Sequence, residues 1–149
     1  MNKIFFHDFN ANSGLKFRRE FKNFLSAIFR RYNIAIDRVD FIFCTDEYLL
    51  TLNQQFLGHN YYTDTLSFVL SRKKMPITGE VYLSIDRIKS NANQLSIPYQ
   101  TELKRVIIHG TLHLCGYLDK PKKLRQIMED IQEKYLNSWI VSRETQIGD

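Results

Sequence analysis

The sequence predicts an α+β fold in which a small mixed β-sheet carries packed helices. Three observations support this. Apolar residues make up 44% and aromatics 13% of the 149 residues, enough for a substantial core. The hydrophobic periods run strand, helix, strand, helix, strand, strand, and then helices only. With 6 Gly and 3 Pro, no internal repeat and no shift in composition, nothing marks a linker, so residues 1–149 are expected to form one domain.

The elements follow in order. Lys3–His7 is β-prone and serves as a first strand. Asn12, Ser13 and Gly14 supply capping and turn chemistry ahead of a helix. That helix repeats Phe17, Phe21, Phe24, Leu25, Ile28 and Phe29 at threes and fours, with Arg18, Arg19, Lys22, Arg30 and Arg31 on its other faces. Asp37–Thr45 reads as a strand with Val39, Phe41 and Phe43 on one face. Its other face carries Asp40, Ile42 and Cys44, so both faces are expected to be at least partly covered. Asp46 is the expected cap of a helix carrying Leu49, Leu52, Asn53 and Phe56, closed by Gly58-His59-Asn60. Thr65–Leu70 and Glu80–Ile85 form a hairpin across the basic turn Ser71–Pro76. A helix from Asp86 carries Ile88, Ala92 and Leu95 and breaks at Ile97-Pro98. Thr101 is the expected cap of a helix running to Cys115, with Gly116 at its end. Pro121 opens a last helix lined by Leu124, Ile127, Met128, Ile131, Tyr135 and Leu136, and the tail Ser142–Asp149 is expected to fray.

Composition narrows the function. Lys and Arg number 21 against 16 Asp and Glu, a net charge of +5 that mildly favours a polyanionic partner such as nucleic acid. No apolar run approaches the ~20 residues of a membrane span, and the start MNKIFFHDFN is too short and polar for a secretory signal. Cys44 and Cys115 make no disulfide framework and are expected to be reduced thiols in a cytoplasm.

The informative segment is Ile107-Ile108-His109-Gly110-Thr111-Leu112-His113-Leu114-Cys115-Gly116-Tyr117-Leu118-Asp119. Two histidines four apart lie on one helix face, offset by about 6 Å along the axis. Such imidazoles can hold one divalent ion, and Gly116 lets the chain turn back so that Asp119 can close on it. Three protein ligands leave a fourth position for water, the pattern of a catalytic site. The carboxylate would blunt the acidification of that water relative to a third imidazole. The plain alternatives are histidines packed beside an apolar stripe and Asp119 acting as the cap of the last helix. Cys115 sits two residues from His113 and faces away, as a small hydrophobe. Zinc peptidases carry His-Glu-x-x-His, whose Glu is the general base; Gly110 stands in that place and counts against peptidase chemistry.

The segment His109–Tyr117 resembles the hallmark of the YbeY family of bacterial endoribonucleases, the rRNA maturation factors: His-Gly-x-Leu-His-Leu-x-Gly-Tyr, one further residue, then a third histidine. Here Asp119 takes the third histidine's place. Leu52-Asn53-Gln54-Gln55-Phe56, then Thr63-Asp64-Thr65-Leu66-Ser67-Phe68, is similar to a second family stretch. Gly79-Glu80-Val81-Tyr82-Leu83-Ser84 resembles a third. The family's arginine after the aromatic is Leu57 here, which cannot make charge-assisted bonds to phosphate. The resemblance implies a zincin-like α+β fold, one Zn²⁺ held by His109, His113 and Asp119, and cleavage of single-stranded RNA in small-subunit rRNA maturation. It also implies a cytoplasmic place and ribosome-associated partners. His59 and Asp64 are candidate substrate-binding residues, and Asp64 and Glu80 are candidate general bases. Arg72-Lys73-Lys74 and the basic helix face are candidates to follow a phosphate backbone. Two rivals remain: a peptide or amide hydrolase on the same scaffold, and a non-catalytic ribosome assembly factor.

Overall fold

A computed structural model describes residues 2–148, with side chains described through residue 143. The elements are β1 (Ile4–Asp8), α1 (Arg18–Arg31), β2 (Ile36–Cys44), α2 (Asp46–Leu57), β3 (Thr65–Val69), β4 (Ile77–Ser84), α3 (Ile85–Leu95), α4 (Tyr99–Leu114) and α5 (Lys122–Gly148). The sheet is mixed, in the order β1-β2-β4-β3. β1 pairs with β2 and β2 with β4 in parallel, while β3 returns antiparallel to β4. The parallel pairs follow from the helices between their strands, and the antiparallel pair from the hairpin.

The period-two pattern decides which face is covered by what. Phe41 sits beside Val81 and Phe43 beside Leu83. All four are fully buried, in the main core with Phe21, Leu25 and Phe29 of α1 and Leu103, Ile107 and Leu112 of α4. Truncating either Phe41 or Phe43 to Ala would cost roughly 3–5 kcal/mol. On the opposite face Cys44 and Leu66 meet Leu49 and Leu52 of α2 in a second, smaller cluster, so β2 is covered on both sides at its C-terminal end, while Arg38 stays exposed and Asp40 and Ile42 half-buried. α4 is buried nearly all round, because sheet, α3 and α5 press on it from different directions.

Several boundaries differ from the sequence expectation, each for a local reason. Thr45, not Asp46, caps α2: its hydroxyl accepts from the Tyr48 N–H at 3.3 Å. The Asp46 carboxylate instead accepts from Arg87 Nη2 at 2.8 Å and the Ser84 hydroxyl at 3.0 Å. Ser13 and Asn12 bond within their own turn, to the N–H groups of Leu15 and Gly14, and α1 begins only after Phe17. β4 starts at Ile77, earlier than expected, because Ile77 and Thr78 pair with Ile36 and Arg38 of β2. It ends at Ser84, whose hydroxyl caps α3 by accepting from the Arg87 N–H. α4 opens at Pro98, whose carbonyl accepts from Thr101 and Glu102. α5 extends into the tail expected to fray, and Asp149 lies outside the described residues. Among the described residues no helix is long and apolar enough to cross a membrane.

Candidate metal centre

α4 places His109 and His113 on one face, one turn apart, with rings at 84° and centroids 4.6 Å apart. The helix closes at Cys115, and Gly116 takes φ +101°, which a side chain resists. That turn sends the Tyr117 N–H back to the Leu112 carbonyl and sets the Tyr117 carbonyl 3.1 Å from His113 Nδ1. His109 Nδ1 lies 2.6 Å from Oε1 of Gln132, a buried residue of α5. Each Nδ1 therefore faces a carbonyl oxygen, which only accepts, so each carries the ring proton.

Both Nε2 atoms are then left with lone pairs, and they face one another at 3.1 Å. Two tetrahedral bonds of about 2.0–2.1 Å to one ion would hold such nitrogens roughly 3.3 Å apart. The pair thus fits a divalent cation with little movement. Burial, and then His109, keeps the His113 imidazole below its ordinary pKa against the pull of the Tyr117 carbonyl and Asp119. It is neutral at pH 7, as a ligand must be. Asp119 Oδ2 stands 3.8 Å from His113 Nε2 on a side chain 55% exposed. Among the described residues no three His, Cys, Asp or Glu side chains come close enough to complete a cage. Asp119 has to swing inward to act as a third ligand.

The histidines open onto a cleft of about 340 Å³ whose other wall is β3 and the segment before it. Asp64 lines that wall. Its backbone carbonyl accepts from the Ser84 N–H at 2.9 Å, and its carboxylate accepts from the Asn91 amide at 3.2 Å. Burial pushes its carboxyl above the usual range, opposed chiefly by His109 across the cleft. Thr65 and Ser67 face the same side, with hydroxyl oxygens that are buried and lack a hydrogen-bond partner among the described residues.

Gly110 explains the missing peptidase base. A Cβ there would sit 2.6 Å from Val81 Cγ1, so β4 closes the position to any side chain. Cys115 packs on the core, and burial pushes its thiol up to about 12, so it offers no thiolate.

Not every candidate reaches the cleft. Glu80 is the one the structure overturns as a base. Val81 and Leu83 point to the α4 side, so Glu80 points the other way, beside Phe56, Phe68 and Tyr82. His59 lies on the exposed loop after α2, stacked on Tyr61 with 3.0 Å between Nδ1 and the phenol oxygen, and does not line the cleft. Leu57, half exposed at the end of α2, does not line it either. Sequence reasoning missed Gln132 and Asn91, because both act through tertiary contacts that no local spacing announces.

Comparison with known proteins gives consistent results. The family described as Endoribonuclease YbeY matches residues 7–140. A protein of Cytophaga hutchinsonii named Endoribonuclease YbeY is 40% identical over 134 residues, covering 90% of this chain and 94% of its own length. One of the same name from Porphyromonas gingivalis is 42% identical over 128 residues, covering 86% and 82%. Among solved structures, a solution structure of a Thermotoga maritima protein matches with a TM-score of 0.67 at 29% identity, covering 98% of this chain and 95% of that one.

Proposed function

The chain belongs to the Endoribonuclease YbeY family, and from that membership we propose that it is a zinc-dependent endoribonuclease cutting single-stranded RNA. Its proposed task is the maturation of small-subunit ribosomal RNA, in the cytoplasm and in association with ribosomes, with residues 1–149 working as one such domain. The observation that carries the reading is the convergence of the His109 and His113 Nε2 atoms at 3.1 Å on the rim of a cleft.

His109 and His113 would hold the ion and Asp119 would close on it, leaving one corner open. When bound, the ion polarises a phosphate oxygen and acidifies solvent. The chain's own residues do the rest. Asp64, across the cleft, carries a carboxyl whose raised affinity for a proton suits it to exchange one with an attacking or leaving oxygen. The Asn91 amide fixes that carboxyl's direction. Arg72, Lys73 and Lys74, exposed in the connection after β3, suit a phosphate backbone. The closed position at Gly110 disfavours the peptide-hydrolase rival.

The test is metal analysis together with cleavage of a single-stranded RNA. The wild-type chain should bind one zinc ion and cut, and His113→Ala should do neither. Asp119→His should retain both metal and activity. Equal cleavage by wild type and His113→Ala would expose a contaminating nuclease. Bound metal without cleavage would replace the enzyme with an assembly factor, a role consistent with Leu57 standing where the family carries arginine.

A further inference from the structure

We propose that Gln132 of α5 is the positioning residue that sets His109 in its metal-accepting form, and that Glu133 and Arg105 fix Gln132 in turn. The inference rests on the metal-site reading above, but its first test does not need a metal.

Two facts define the problem. The His109 and His113 Nε2 atoms are 3.1 Å apart, close enough to hydrogen-bond to each other. If His109 carried its proton on Nε2, it would donate that proton to His113 and close the pair against a cation. The proton must therefore be held at Nδ1, and the partner there is Gln132 Oε1 at 2.6 Å. An amide can present either end, so something must select its oxygen. Glu133 does: its Oε2 accepts from Gln132 Nε2 at 3.1 Å, and the reversed amide would set oxygen against oxygen. Glu133 is itself clamped by Arg105, with Nε to Oε2 at 3.0 Å and Nη2 to Oε1 at 3.1 Å. Arg105 also bonds Glu102, one turn earlier on α4. Gln132 is 7% exposed, so water does not substitute for it readily. Each link has one polarity, and the chain of polarity ends at the His109 lone pair. Outer partners of this kind typically change metal affinity 10–100-fold when removed.

The experiment compares wild type, Gln132→Met and the exchange Gln132→Glu with Glu133→Gln. Met keeps the unbranched shape without the acceptor. The exchange keeps an acceptor toward His109 at the same reach, and the amide now at 133 donates to its second oxygen, whereas Gln132→Glu alone would set two carboxylates against each other. Nitrogen-15 imidazole spectra of the metal-free proteins should show His109 protonated at Nδ1 in wild type and the exchange variant, and shifted toward Nε2 in Gln132→Met. Zinc titration should then show affinity reduced about 10–100-fold in Gln132→Met and largely restored in the exchange variant. An unchanged His109 spectrum in Gln132→Met would overturn the proposal, as would wild-type zinc affinity in that variant. If wild type itself bound no zinc, the metal reading would fail while the spectra still decided the role of Gln132.

Discussion

Gly110→Ala is the most direct probe of how the cleft is built. The added methyl would stand 2.6 Å from Val81 Cγ1 and 3.3 Å from Cγ2, well inside contact distance, with both residues fully buried. Helix α4 must then move off β4 or Val81 must leave its rotamer, a strain of typically about 1–3 kcal/mol. Alanine is a better helix former than glycine by about 0.8–1.0 kcal/mol, which offsets part of this. The net expectation is a loss of up to about 2 kcal/mol, or up to roughly 4–8 °C in Tm for a chain of this length. Val81→Ala alone removes two buried methyls at about 0.8 kcal/mol each plus the cavity they leave. In the double variant the new methyl occupies part of that cavity, so the two losses should fall short of their sum by about 1–2 kcal/mol. Chemical denaturation of all four proteins measures this coupling. Additive losses, or a single variant more stable than wild type, would refute the close approach of α4 to β4. RNA cleavage should fall along with stability in Gly110→Ala, because His109 is carried on the displaced turn.

Three further outcomes are expected. Zinc at 100 times its dissociation constant should stabilise the protein by about 2.7 kcal/mol, roughly 5–11 °C in Tm by calorimetry, and His113→Ala should abolish the shift. Asp64→Asn should lower cleavage by about 10²–10⁴-fold if the carboxyl exchanges a proton. Because burial raises this carboxyl in the folded state, its ionisation opposes folding; the variant should match wild type below the unfolded carboxylate value near pH ~3.9, gain on it as pH rises from there to the raised folded value, and hold a constant advantage beyond. Lys104 is 3% exposed, its ammonium donates to Gln100 at 2.8 Å, and burial drives its pKa down to about 8. Lys104→Met should therefore raise Tm by a few degrees, most below pH 8 and not at all above the unfolded value of about 10.4; a gain independent of pH would show that packing, not charge, is responsible.

Much of this architecture was legible in the chain because the controlling patterns are local. Val39-x-Phe41-x-Phe43 and Val81-x-Leu83 mark one sheet face by alternation alone, and the histidines at i and i+4 define their own helix face. The same alternation should have placed Glu80 opposite Val81 and removed it as a base. The start of β4 was hidden because Gly79, a poor strand former, separates Ile77 and Thr78 from the alternating run that follows, and pairing with Ile36, Arg38 and Val39 of β2 recruits all three. The caps were misassigned where two polar neighbours competed: Thr45 and Asp46 both suit an N-cap, and the ion pair with Arg87 claims Asp46 for tertiary work. Of the site, the motif supplied His109, His113 and Asp119, and its companion block supplied Asp64. Gln132 stayed invisible because a glutamine amid a charged helix looks like any solvated position until α4 and α5 are packed.

The order in which the two helices are made adds a temporal consequence. Gln132 follows His109 by 23 positions, so elongation at roughly 5–20 residues per second delivers it about 1–5 s later. A nascent chain would carry the imidazole pair before the group that orients it, and ion capture would ripen only as the last helix docks. For a nuclease born on a ribosome, that delay would postpone competence until α5 has been made and packed on α4.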